Sequence, residues 1–240
     1  MTGTLHVVGM GPGDPELLTL KAIRRLRESP VIAYFAKRGR QGHARRIAQG
    51  HIPATAQELR FEYPYTTEIT VHDPRYEPAL TGFYADSAAS IETHLAAGQD
   101  VALLCEGDPF FYGSAMYLFD RLRARFPTSV TPGISAMSGC WSAAQIPMTH
   151  GDDILTVLPG TMDQAALTAH LYQVDAAVIM KVGTNLAKIR GAVEAAGLTP
   201  RATLVEHGTM PTQCVTPLTA APEAAPYFSL VLIPGRQRPR

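Results

Sequence analysis

Apolar runs and amphipathic stretches alternate along the chain. A run at 5–8 leads into Gly9-Met10-Gly11-Pro12-Gly13-Asp14-Pro15, after which Leu17, Leu18, Leu20, Ile23 and Leu26 fall at spacings of three and four. That pattern predicts a strand, a glycine loop and a helix over 15–28 that Ser29-Pro30 ends. A strand over 31–35 follows, then a polar segment, a long irregular region around 63–78 and a helix over 80–97 closed by Gly98. The buried-type strand 100–105 runs directly into Glu106-Gly107-Asp108-Pro109-Phe110-Phe111-Tyr112-Gly113-Ser114, a second strand-loop-helix junction. Val130-Thr131-Pro132-Gly133-Ile134-Ser135-Ala136 is a third, feeding a small-residue helix that reaches about Ala144. After Pro147 the pattern restarts, with strands at 154–158, 176–182, 202–206 and 228–233 and helices at 163–172 and 186–196.

This alternation predicts two α/β domains, expected at 1–118 and 119–240, with some antiparallel pairing at the end of the second. Three loops at the carboxyl ends of strands stand where open α/β sheets bind ligands.

Three glycines within five positions let the first loop bend tightly and approach a ligand, while Asp14 suits a helix cap and Pro15 a first turn. The dinucleotide fingerprint does not fit. It wants a third glycine where Asp14 stands and an acid after the second strand, where Tyr34 and Phe35 lie. The phosphate-loop pattern fails too, because Lys21 follows Gly13 by eight residues and no Gly-Lys-Ser/Thr occurs.

The 240 residues are 46% hydrophobic with 20 Gly and 19 Pro, as expected for a loop-rich globular chain. The net formal charge is +0, so no global field recruits nucleic acid or an anionic membrane. Charge is local instead. Lys37, Arg38, Arg40, Arg45 and Arg46 form a basic patch without an acid among them, whereas 52–100 carries eight acids against Arg60 and Arg75. Cys105, Cys140 and Cys214 are scattered, and the histidines (His6, His43, His51, His72, His94, His150, His170, His207) show no metal-ligand spacing. A reducing compartment without a metal site is the expectation. No apolar run approaches the roughly 18 residues of a membrane span, and a strand begins within four residues of Met1, so a cytoplasmic location without membrane association is expected.

The segment Gly9 to Ala22 (GMGPGDPELLTLKA) resembles the opening signature of the tetrapyrrole (corrin/porphyrin) methyltransferases. Glu106-Gly107-Asp108-Pro109-Phe110-Phe111-Tyr112-Gly113 is similar to their second motif, Thr131-Pro132-Gly133-Ile134-Ser135-Ala136 to their third, and Val205-Glu206-His207-Gly208-Thr209 with Gln213 to a fourth. The motifs occur in the family's order across nearly the whole chain. The resemblance implies two α/β domains of the tetrapyrrole methylase type with the cofactor cleft between them, S-adenosyl-L-methionine as cofactor, a small-molecule tetrapyrrole substrate and a homodimer. The segments Cys105 to Phe119, Ile179 to Gly183, Thr209 to Gln213 and Pro226 to Ser229 look most like members that methylate carbon 20, a meso carbon, of precorrin-2. The same methylation of a cobalt-containing substrate is the neighbouring alternative. A member acting on another corrin carbon, on RNA or on a diphthamide precursor, and a non-catalytic adenosylmethionine-binding module, are further ones. The member that makes precorrin-2 carries an aspartate just after its second strand. Phe35 stands there in this chain, which puts any transfer of that acid-base role aside.

Carried over by motif, the resemblance places Pro12, Glu106, Gly107, Asp108, Phe111, Ser135, Ala136, Val182 and Gly208 at the cofactor, with Val182 in the strand before Gly183. Methyl transfer disperses a sulfonium charge, so positioning rather than ion pairing should dominate, worth up to about 7–11 kcal/mol. A proton must leave after methylation, and Asp108 or Glu106 is the candidate to take it or to orient the pyrrole N–H groups. Capping of the helix after Pro109 is the competing reading of Asp108. The carboxylates of an early tetrapyrrole call for bidentate cations, and Arg38, Arg40 and Arg45 are the candidates, with a solvated loop face as the alternative. Trp141 and Met137 are read as core residues, and His207 as a packing or hydrogen-bonding residue.

Overall fold

The computed structural model describes residues 1–66 and 73–235. Part of the irregular stretch expected at 63–78, namely 67–72 with His72, lies outside the described residues. The chain forms two compact units, Met1–Ser135 and Ala136–Arg240.

The first unit contains β1 (Leu5–Gly9), α1 (Leu20–Glu28), β2 (Val31–Lys37), α2 (His43–Ile47), β3 (Gln57–Tyr63), α3 (Tyr76–Ala96), β4 (Val101–Cys105), α4 (Ala115–Leu122) and β5 (Thr128–Thr131). Its strands lie in the order β3-β2-β4-β1-β5, every pair parallel. Alternate residues of the strands serve two cores. Leu5, Val7, Val31, Ala33, Val101 and Leu103 meet α3 and α4 through Ile91, Leu95, Leu118 and Leu122. Val8, Ile32, Tyr34, Ala102 and Leu104 meet α1 and α2 through Ala22, Leu26, Ala44 and Ile47. Burial on both faces explains the continuous apolar runs of β1, β2 and β4, each fully buried leucine or isoleucine contributing about 1.5–3 kcal/mol.

The second unit contains α5 (Ala136–Ala143), β6 (Leu155–Pro159), α6 (Gln164–Leu171), β7 (Ala176–Met180), α7 (Leu186–Ala195), β8 (Thr203–Glu206), β9 (Cys214–Pro217) and β10 (Ser229–Ile233). The order is β6-β7-β10-β8-β9, with β10 antiparallel to both neighbours and β8 antiparallel to β9. The expected antiparallel ending is present. One face packs on α6 and α7 through Leu167, Leu171, Ile189 and Val193, and the other on α5, where Met137 and Trp141 join the core as expected.

The structure corrects six expectations. The division falls after Ser135 rather than near 118, because α4 packs on the first sheet and β5 pairs with β1. The helix expected over 15–28 is broken: Asp14 caps a single 3-10 turn, Pro15–Leu17, and Thr19 Oγ1 accepts from Ala22 N–H at 3.1 Å to start α1. β3 occupies part of the acidic stretch, ahead of the irregular region, where no strand was expected, and α3 begins at Tyr76 rather than near 80. The strand expected over 176–182 ends at Met180, because Lys181 turns left-handed with φ 57°. β9 is an additional edge strand.

The three loops of the first unit meet backbone to backbone. A Cβ on Gly9 would lie 2.5 Å from Gly133 N and 2.7 Å from Gly107 O, and one on Gly133 would lie 2.1 Å from Gly107 O. Replacement of Gly133 by alanine is therefore expected to destabilise the fold by about 1–3 kcal/mol or more. Gly82, on α3 with nothing within 4 Å of an added Cβ, provides the contrast. Gly82→Ala is expected to stabilise by about 0.5–1 kcal/mol, and urea unfolding of both variants checks the pair.

Burial pushes the Cys105 and Cys140 thiols up to about 12, whereas Cys214 is exposed. A chromogenic disulfide reagent at pH 8 is expected to titrate Cys214 alone in the native protein and all three thiols in denaturant.

Candidate active site

The chain leaves β1 towards the α1/α2 face and leaves β4 towards the α3/α4 face, so neighbouring strands send their loops in opposite directions. A reversal of this kind opens a crevice at the carboxyl edge of a parallel sheet. In this chain it is bridged. Gly107 N–H donates to Gly11 O at 2.8 Å, Gly11 N–H to Gly107 O at 3.3 Å, and Met10 N–H to Cys105 O at 2.8 Å. Gly11 reaches this geometry with φ 73°, which favours glycine. Pro12 and Gly107 are consequently buried within the loop layer, and Asp108 and Phe111 keep partial access to solvent.

Asp108 ties the second loop to the third. Its Oδ1 accepts from Phe110 N–H at 2.9 Å and its Oδ2 accepts from Gly133 N–H at 3.2 Å. The helix that follows begins at Ala115, so Asp108 does not cap it, which corrects that reading. Beyond Gly133, Ser135 and Ala136 lead into α5, both partly buried.

Glu106 occupies a different environment two residues earlier. Strand alternation turns it to the α1/α2 side, where its Oε1 accepts from Ala44 N–H at 3.3 Å in the first turn of α2. One face of the side chain stays solvent-accessible, yet the surrounding protein crowds the carboxylate enough to hold its pKa above the ordinary glutamate value. Desolvation dominates, opposed by the Ala44 N–H and by the charge of Arg46.

The basic segment divides. Arg38 and Arg40 are exposed on the turn that follows β2, at the same carboxyl edge as the loops. Arg45 does not join them: Nε and Nη2 donate to Glu58 of β3 at 2.9 and 2.7 Å. Arg46 contacts the His43 ring on its own helix. On the opposite face of the same edge, Phe35 stacks on Tyr63 with ring centroids 5.4 Å apart, and Tyr63 Oη donates to Ser114 Oγ at 2.7 Å. The position of Phe35 is thus walled by aromatic rings.

In the second unit, β6, β7 and β8 run in one direction and end at a common edge. Gly160 N–H donates to Met180 O at 2.7 Å, and His207 N–H to Phe228 O at 2.7 Å. Lys181, His207 and Thr209 adopt φ of 57°, 49° and 69°, left-handed conformations that cost about 1–3 kcal/mol each and collect at ligand sites. Val182 is fully buried just past β7, while Gly183 has open space around its α-carbon. Gly208 is buried against Cys140 Sγ, 2.5 Å from where a Cβ would lie. Gln213 Oε1 accepts from Thr209 N–H at 2.8 Å and Nε2 donates to Ala143 O at 3.4 Å, clamping that turn to α5. Thr209 Oγ1 is buried without a hydrogen-bond partner among the described residues. Sequence reasoning quoted Thr209 in a motif without giving it a role. Its signal was the left-handed His-Gly-Thr turn after a strand.

Among the described residues no group of three or more His, Cys, Asp and Glu side chains is arranged to hold a metal ion, and no helix is long and apolar enough to cross a membrane.

The family model of the tetrapyrrole (corrin/porphyrin) methylases matches residues 4–222. The chain is 54% identical over 239 residues to a precorrin-2 C(20)-methyltransferase from Sinorhizobium sp., covering 99% of this chain and 98% of the relative. It is 25% identical to a cobalt-precorrin-2 C(20)-methyltransferase from Salmonella typhimurium, covering 97% of each. Its fold matches a uroporphyrin-III C-methyltransferase from Thermus thermophilus, solved with S-adenosyl homocysteine, at a TM-score of 0.67 and 23% identity, covering 96% of this chain and 97% of the other. With the motifs, the two sheets and the match over nearly its whole length in agreement, the chain belongs to the tetrapyrrole (corrin/porphyrin) methylases.

Proposed function

We propose that this protein transfers a methyl group from S-adenosyl-L-methionine to carbon 20 of precorrin-2, giving precorrin-3A in cobalamin biosynthesis. The observation that carries this reading is the near-complete alignment, at 54% identity, with a relative of that activity. The metal-free substrate is preferred over its cobalt complex because the relative named for the cobalt substrate stands at 25%. The same reading makes the protein a cytoplasmic homodimer.

The residues fit S-adenosyl-L-methionine. Thr209 Oγ1, without a hydrogen-bond partner among the described residues, offers an unused polar group, and the open space at Gly183 offers room for a ligand to approach, as an adenosine requires. Pro12, Gly107, Asp108, Phe111 and Ser135 of the first unit and Ala136, Val182, Gly208 and Thr209 of the second are assigned to it, whereas Glu106, whose side chain turns to α2, is withdrawn from the cofactor set. When bound, the cofactor supplies an electrophilic methyl on a sulfonium sulfur. The protein's contribution is positional. Glycine contacts and the Asp108 clamp leave the loops little freedom, so alignment of donor and acceptor is prepared before they meet. Asp108 is accordingly a positioning residue, since both of its oxygens already accept from backbone N–H groups. Arg38 and Arg40 receive substrate carboxylates, and Arg45 is withdrawn from that role by Glu58.

Anaerobic incubation with S-adenosylmethionine and either precorrin-2 or its cobalt complex, read by mass spectrometry, tests the assignment. A single added methyl on the metal-free substrate is expected, and preference for the cobalt complex would move the enzyme to the other route. Asp108→Ala is expected to lower unfolding stability by about 1.5–3 kcal/mol and to weaken S-adenosyl homocysteine binding, measured by urea unfolding and calorimetry. Unchanged binding would remove Asp108 from the cofactor loops.

A further inference from the structure

Methylation leaves carbon 20 bearing both the new methyl and its original hydrogen. Conjugation returns only when that hydrogen departs as a proton, its bonding pair passing back into the macrocycle. This proton carries away the positive charge that the sulfonium surrendered, so the step balances with one base and no further reactant. A base for it must stand at the carboxyl edge of the sheet, keep a lone pair whose use breaks no tie between loops, and touch solvent for later release.

Two carboxylates of the second loop compete, and the geometry separates them. Asp108 has an oxygen committed to each of two loops, so accepting a proton would break the clamp. We propose that Glu106 is the general base that takes the carbon-20 proton. This rests on the methyltransferase reading and deepens it. Glu106 follows β4 directly, at the reversal in chain direction between β1 and β4. Its Oε1 accepts from Ala44 N–H and its own backbone N–H also donates to the carboxylate, while among the described residues no side chain hydrogen-bonds to it, which leaves lone pairs free for a proton. The side chain is solvent-accessible on one side, which gives the proton an exit.

Its charged surroundings suit the task. Arg46 on α2 favours the ionised form without a direct hydrogen bond, and Cys105 on β4 stays neutral because burial holds it near 12. Asp108, on the same loop, is held away by its two backbone donors. Desolvation of Glu106 raises its proton affinity, which strengthens it as a base. The activity is therefore expected to fall as pH drops through its raised pKa.

Glu106→Gln isolates the role, because glutamine retains an oxygen for the Ala44 N–H but cannot take a proton. The expected result is a kcat lower by about 10²–10⁴-fold with KM for both substrates and S-adenosyl homocysteine affinity unchanged. The acid limb of the kcat profile should disappear, and precorrin-2 deuterated at carbon 20 should show a primary isotope effect in the variant. Glu106→Asp should recover part of the rate with its acid limb. Infrared titration of wild type against the glutamine variant supplies a readout without substrate: one carboxyl band titrating above about 4.3 should be lost. A Glu106→Gln enzyme with wild-type kcat and an intact acid limb, or a Glu106 band titrating in the ordinary range, would overturn the base assignment while leaving the methyltransferase standing. Wild-type protein that methylates neither tetrapyrrole would instead sink the functional reading, and this assignment with it.

Discussion

The first unit depends on one constraint, the approach of Gly9, Gly107 and Gly133 with no side chain between them. Contacts below 3 Å to an added Cβ leave Gly9 and Gly133 to glycine alone, and Gly107, whose carbonyl both would strike, turns with φ 64°. Because the three residues belong to the ends of β1 and β4 and to the loop after β5, their contact sets where three loops begin. The Gly11–Gly107 bridge and the Asp108 clamp then fix how each loop continues. A sequence reading of such glycines as places where a ligand meets backbone is only partly right. Gly9 and Gly133 are consumed by packing, whereas Gly183 in the second unit does leave its backbone open.

The sheet around that contact explains why the loops carry chemistry. Crossovers running both ways from adjacent strands cover both faces of the sheet centre with helices, so β2 and β4 carry no charged group short of their ends and β1 admits a polar side chain only at His6. Glu106 is the first residue past β4 whose side chain can reach solvent. Its neighbour Cys105 remains in the core with a thiol too hard to ionise for reaction at neutral pH. The change from inert to reactive chemistry thus occurs across one peptide bond, at the point where the sheet stops.

Much of this was legible in the chain, because apolar runs and glycine loops are local signals. β1, β2, β4 and the helices of the second unit follow from periodicity, and the motifs give the family. Two strands were overlooked for opposite reasons. β3 has a clear period of two, with Leu59, Phe61 and Tyr63 facing inward between Glu58, Arg60 and Glu62, and its acids drew attention away from the alternation. β9 has four residues, three of them exposed, so its pattern holds no apolar signal; it exists through pairing with β8. The break at Thr19 was visible only as a second capping residue inside an apparently continuous helix. Partnerships distant in sequence were beyond reach. Arg45 looked as available as Arg38 until Glu58 was found against it, and Asp108 looked like a cap until Gly133 closed on it.

The contrast between Glu106 and Asp108 shows why residue type alone does not assign roles. Both are carboxylates on one loop, and either could in principle take a proton. A carboxylate whose two oxygens accept from backbone N–H groups of two loops is structurally committed, so protonating it would cost those bonds and the order of the loops. Glu106, crowded by protein, is destabilised when charged, and protonating it relieves desolvation. Holding is thus separated from reacting by where the N–H groups come from: Asp108 joins two loops through its two oxygens, whereas Glu106 receives one N–H from α2 and one from its own backbone. The extra methylene of Glu106 adds to the division, since it lets the carboxylate bridge to α2 rather than fold back onto its own loop.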